Sequence, residues 1–73
     1  MKRSTYVVAV RGSSLCGQYA PKHVAGYTTW NVRVTTDDEG AHVTGVRLRA
    51  VNVEKPSAKA IENYTTLHEE GLI

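Results

Sequence analysis

Gly12 and Gly17 stand at the G-x-x-x-x-G spacing of a phosphate loop, but the next residues are Gln18 and Tyr19. A phosphate loop needs a lysine to reach the phosphates and a hydroxyl to hold magnesium at those two places. Both are missing, so the segment reads as an ordinary loop. Cys16 and His23 are the residue types of a thiol nucleophile and its base. A separation of seven positions fixes no geometry between them, and no third orienting group or oxyanion hole is in view. A small, half-buried thiol is the expected state of Cys16. His23, His42 and His68 contain no i, i+4 ligand pair, and a single cysteine does not complete a structural zinc site. The expectation is therefore no metal, no cofactor and no catalysis. Asn63-Tyr64-Thr65 matches a glycosylation sequon. It falls inside a predicted helix of a chain with no export signal, and reads as chance.

The chemistry that remains is cationic. Arginine forks match carboxylate or phosphate in a bidentate way, so the positions of Arg33, Arg47 and Arg49 matter, and these depend on the strands that carry them. Thr5 to Arg11 alternates and is β-branched, which predicts a strand. Tyr27 to Thr36 predicts a second, with Thr28, Trp30, Val32 and Val34 on one face and Thr29, Asn31 and Arg33 on the other. Asp37-Asp38-Glu39-Gly40 predicts a turn, with Gly40 available for a left-handed position. Ala41 to about Arg49 predicts the returning strand. Pairing Trp30 with Leu48 and Val32 with Val46 gathers four apolar side chains on one face. The same register sets Asn31 opposite Arg47 and Thr29 opposite Arg49, so all three arginines share the outer face. Val43 then faces inward only after a one-residue slip, for which Gly45 is the natural bulge site. Val51 and Val53 are read as a bent extension or a short fourth strand.

After Pro56 the period changes. Ser57 is the predicted N-cap, Gly71 the terminator, and Ala60, Ile61, Tyr64 and Leu67 the apolar stripe between them. That stripe is expected to pack on the Trp30, Val32, Val46 and Leu48 face. Leu72 and Ile73 are expected as an exposed or loosely docked tail. The fold class is thus α+β: a small antiparallel sheet of three to four strands with one C-terminal helix on one face. Gly12 to Gly26 is left as a fifteen-residue connection without a period. Connections beyond about 12–15 residues are uncommon in compact domains and are often functional.

The bulk properties bound the reading. A chain of 73 residues is one domain at most, 1–73. One cysteine excludes an internal disulfide and suits a reducing compartment. Met1-Lys2-Arg3 is followed by an apolar run too short for a signal sequence, and no stretch approaches the roughly 20 residues of a membrane span. A cytosolic monomer is expected. The net charge of +2 conceals a dipole. Lys2, Arg3, Arg11, Lys22 and Arg33 give +5 before the first acid, Asp37; from there Arg47, Arg49, Lys55 and Lys59 face seven acids, giving −3. Such asymmetry favours oriented docking on an acidic surface. Charge on a solvent face is the default in small proteins. Three arginines with no interleaved acid, however, carry mutual repulsion that mere solubility does not require. An RNA-binding sheet usually adds exposed aromatics to that face for base stacking, whereas Trp30 is predicted to point the other way.

The length and layout from MKRSTYVVAVRGSS to LHEEGLI resemble the small regulators of host bacterial RNA polymerase encoded by lytic phages of Xanthomonas. The resemblance spans the chain and rests on no diagnostic motif. It implies docking on the N-terminal region of the β′ subunit near the RNA exit channel, in the host bacterial cytoplasm, with inhibited initiation and suppressed intrinsic termination. Leu15-Cys16-Gly17-Gln18-Tyr19 also looks like the first cysteine region of the β′ zinc ribbon. The other ribbon cysteines are absent here, so metal binding does not carry over. On this reading Lys2, Arg3, Arg11, Arg33, Arg47 and Arg49 supply electrostatic complementarity. Tyr19, Lys22 and His23, in the long connection, complete the candidate partner-binding set. The alternatives are a small RNA- or DNA-binding domain using the same basic face, and an inhibitor of a host defence nuclease.

Overall fold

The alternating run at the N-terminus does become a strand, and it is longer than its β-branched centre. In the computed structural model, which describes residues 1–12, 15 and 24–73, β1 spans Lys2–Arg11, β2 Tyr27–Asp37, β3 Gly40–Val53 and α1 Ala58–Glu69. The strands form one antiparallel sheet in the order β1-β2-β3. Extension of β1 back to Lys2 follows from its partner, since Thr35 and Thr36 of β2 offer pairing positions to Arg3 and Lys2.

The β2–β3 turn is a two-residue hairpin loop, Asp38-Glu39, closed by the Asp37/Gly40 pair. The Asp37 side chain caps it by accepting from the Glu39 backbone N–H at 2.9 Å, and Gly40 takes φ +113°. Beyond the turn, Trp30 pairs with Leu48, Val32 with Val46 and Asn31 with Arg47, as the apolar pattern requires. The expected slip lies between Arg33, opposite Gly45, and Val34, opposite Val43, leaving Thr44 as the extra residue. One pairing differs. Thr29 faces Ala50, not Arg49, because the register shifts again between Thr29 and Trp30. A third shift follows between Thr29 and Tyr27, which pairs with Val53, near Asn52 with its positive φ of 59°. Val51 and Val53 therefore belong to a bent end of β3, and among the described residues the sheet has three strands.

Val8, Val10, Trp30, Val32, Val34 and Leu67 form the buried core. Ser57 caps α1, its hydroxyl accepting from the Ala60 N–H at 3.2 Å. At the other end Leu72 N–H bonds the Leu67 carbonyl and Gly71 N–H the His68 carbonyl. With Gly71 at φ +76° this is a Schellman motif. It turns Leu72 and Ile73 back onto the core, where both are partly buried, so the tail is docked.

The helix packs against β1, and this changes its apolar stripe. Ala60 and Leu67 are buried and Tyr64 half-buried, but Ile61 is 38% exposed and Leu48, expected beneath the helix, is 46% exposed. Asn63 takes the place expected of Ile61, and its Nδ2 donates to the Val7 carbonyl at 2.9 Å. The reason is topological: β1 is an outer strand, and a polar side chain facing it satisfies backbone that an apolar one would leave bare. Because that amide is engaged in the fold, the sequon at Asn63 has a structural use.

The long connection is closed at its base, where Gly12 N–H donates to the Gly26 carbonyl at 2.8 Å. Gly26 has φ +85°, and a Cβ there would lie 2.9 Å from the Val53 carbonyl oxygen. Backbone strain and steric clash thus coincide. Gly26→Ala is expected to cost about 2 kcal/mol or more, seen as a lower urea midpoint followed by circular dichroism. An unchanged midpoint would mean that the approach of residues 26 and 53 relaxes freely.

Candidate functional site

Strand alternation sorts the basic residues. On the face opposite the core, β1 contributes Arg3, Thr5 and Arg11, β2 contributes Asn31 and Arg33, and β3 contributes Gly45 and Arg47. Thr5 sits directly opposite Arg33, and Gly45 faces Arg33 from the other side. Arg47, two residues beyond Gly45, is therefore a diagonal neighbour of Arg33, about 7–8 Å away in regular sheet geometry. Gly45 presents no side chain, and Thr5 is short. Between the two guanidinium-bearing strands an open hollow of about 510 Å³ results, lined by Thr5, Asn31, Arg33, Gly45, Val46 and Arg47.

Arg49 and Lys55 border a second open hollow of about 460 Å³ above Thr29 and Ala50, walled by Ser57 and Ala60 at the start of α1. The shift that displaces Arg49 from Thr29 thus keeps it near the outer face, next to a lysine whose position depends on the bend at Asn52. At the far end of β1, Arg11 lies over the Tyr27 ring, 5.5 Å from its centroid, within the range of a cation–π contact. Lys2 pairs with Thr36, and alternation turns it to the face opposite Arg3. Tyr19, Lys22, His23 and Cys16 lie outside the described residues.

The electrostatics of the face are those of unneutralised cations. Arg3, Arg11, Arg33, Arg47 and Arg49 are all exposed. Among the described residues the acidic side chains in close contact with a basic one are Asp37, at His42, and Glu62, at Lys59, so none of these five arginines has an acidic partner there. The internal repulsion is small: two unit charges about 7 Å apart in water interact by about 0.6 kcal/mol. The fold tolerates the arrangement, and the field is left for a partner. Trp30 is fully buried on the core side. Tyr27 is the aromatic residue that β2 brings to the outer face, and Arg11 covers it. Among the described residues there is no cluster of histidine, cysteine and acidic side chains suited to a metal ion, and no helix long and apolar enough to cross a membrane.

Arg33, Arg47 and Asn31 were readable from β2–β3 pairing. Thr5 and Gly45 were missed as lining residues, although the pairing of β1 with β2 and the bulge carried the signal. Lys55 had none, because a positive φ at an asparagine is not announced by sequence. No family model, curated protein or solved structure matches this chain.

Proposed function

We propose that this protein is a non-enzymatic regulator that binds host bacterial RNA polymerase by docking the outer, arginine-bearing face of its sheet on an acidic protein surface. The observation that carries the docking mode is the Arg33–Arg47 hollow: two exposed guanidiniums, with Asn31 and Thr5 beside them and no acidic partner among the described residues. A carboxylate-bearing surface supplies the missing counter-charges. Aromatic stacking platforms, on which single-stranded nucleic acid depends, are scarce on this face. The choice of polymerase comes from the resemblance to phage regulators, which points to the β′ N-terminal region near the RNA exit channel. Occupancy there accounts for both weakened initiation and suppressed intrinsic termination.

The test is binding to purified bacterial RNA polymerase with and without DNA or RNA. Tight binding to the enzyme alone is the expected result, together with little affinity for free nucleic acid. Binding that appears only when nucleic acid is present would replace this reading with a nucleic-acid-binding domain. No binding in either setting would leave the defence-nuclease inhibitor as the reading to pursue.

A further inference from the structure

β3 is the second outer strand of the sheet, and its far edge has no strand partner among the described residues. The edge of β1 is met by α1, through Asn63 and the Val7 carbonyl. Among the described residues β3 has no such cover: residues 47–52 are exposed without a break. Outer strands are usually kept short, charged, bulged, interrupted by proline or shielded, because their free N–H and C=O groups recruit other strands. β3 is 14 residues long and contains no proline; it is charged and bulged, but between its register shifts at Thr44 and Arg49 the stretch 45–48 is regularly paired. Its side chains near the middle are of two kinds. Arg47 and Arg49 carry unneutralised charge, while Leu48 and Val51 are 46% and 38% exposed.

We infer that β3 is an acceptor edge for an extended acidic segment of the partner, which adds as a fourth strand beside residues 45–50. The inference rests on the docking proposed above and specifies its geometry. An incoming strand that alternates acidic and apolar residues sets its carboxylates beside Arg47 and Arg49 and its apolar side chains beside Leu48. Backbone hydrogen bonds supply the common part of the affinity, and the alternating side chains supply the selectivity. A second copy of this chain fits poorly. Two-fold antiparallel pairing that stacks Leu48 on its own copy sets Arg47 opposite Arg49 of the other chain, twice, and like charges directly opposed are destabilising.

The test uses the full-length ¹⁵N-labelled protein and three acetylated peptides at millimolar concentration. One alternates glutamate and valine, one alternates lysine and valine, and one is the glutamate peptide N-methylated at alternate residues. The expected result is shifted and exchange-protected amides at residues 45–50 with the glutamate peptide and none with the lysine peptide. N-methylation, which removes ladder donors without changing charge, is expected to weaken binding at least about tenfold. Equal binding of the N-methylated peptide, shifts confined to the Arg3 and Arg33 region, no shifts at all, or protection of β3 by self-association without peptide would each overturn the inference. Hydrogen exchange in the presence of RNA polymerase separates the two levels. Polymerase binding with unprotected β3 amides sinks the strand addition and leaves the docking face standing. Glutamate-peptide binding at β3 without polymerase binding keeps the acceptor edge and removes the polymerase as partner.

Discussion

Replacing Trp30 with alanine is expected to cost about 3–5 kcal/mol. Trp30 is the largest fully buried side chain, flanked on the core side by Val8 of β1 and Val32 of its own strand, with Leu67 of the helix in the same cluster. Truncation removes an indole from the place where the β1–β2 pairing and the helix meet and leaves a cavity among its neighbours. A chain of 73 residues has a total stability of roughly 4–11 kcal/mol, so the loss takes about a quarter of it at the least and most or all of it at the lower end. Trp30 also carries a liability: its Nε1, like Thr28 Oγ1, is buried without a hydrogen-bond partner, an arrangement that costs about 1–3 kcal/mol when a donor is left unmade. Trp30→Phe keeps much of the apolar volume and deletes that donor, so its cost is expected to fall well below that of alanine. Since this is the single tryptophan, unfolding has to be followed by circular dichroism in urea. An alanine variant with the wild-type midpoint would show that the core does not depend on this residue.

The part of the fold that apolar pairing dictates was legible in the sequence. Trp30 with Leu48 and Val32 with Val46 admit one register, and the inward demand of Val43 then places a bulge at the nearest glycine, Gly45. That register alone brought Asn31, Arg33 and Arg47 to one face, which is half of the residues lining the hollow. What escaped has physical causes. Val51 and Val53 have the opposite parity to Val46 and Leu48, which signals a slip somewhere between them. Neither glycine nor proline marks the place, so the shift at Arg49 and Ala50 was invisible. The helix stripe was read from hydrophobicity alone. A helix against an outer strand also needs a donor for exposed backbone, and Asn63 meets that need while Ile61 turns outward.

Reversing both charges at the hollow, Arg33→Glu with Arg47→Glu, is expected to weaken binding to RNA polymerase by about 2 kcal/mol or more, roughly 30-fold, while leaving the fold intact. The two sides of that expectation rest on different observations. Both arginines are exposed and have no ion pair among the described residues, and surface substitutions of this kind stay within about 0.5 kcal/mol of wild-type stability. They stand at diagonal positions of adjacent strands, about 7–8 Å apart along the backbone and on the scale of the Debye length of about 8–10 Å at ordinary salt, so an approaching acidic surface meets them as one charge cluster. The loss is therefore expected mainly in the association rate, and it should shrink as salt rises, since screening removes from the wild type what the variant never had. The pair Arg33→Lys with Arg47→Lys isolates the other contribution. Lysine keeps the charge and loses the planar fork, so association should stay near wild type while dissociation quickens if carboxylates are gripped in a bidentate way. Equal loss in the lysine and glutamate variants would locate the energy in fork geometry. Loss in neither would return the face to plain solvation and move the contact to the N-terminal residues, the 12–26 connection or α1.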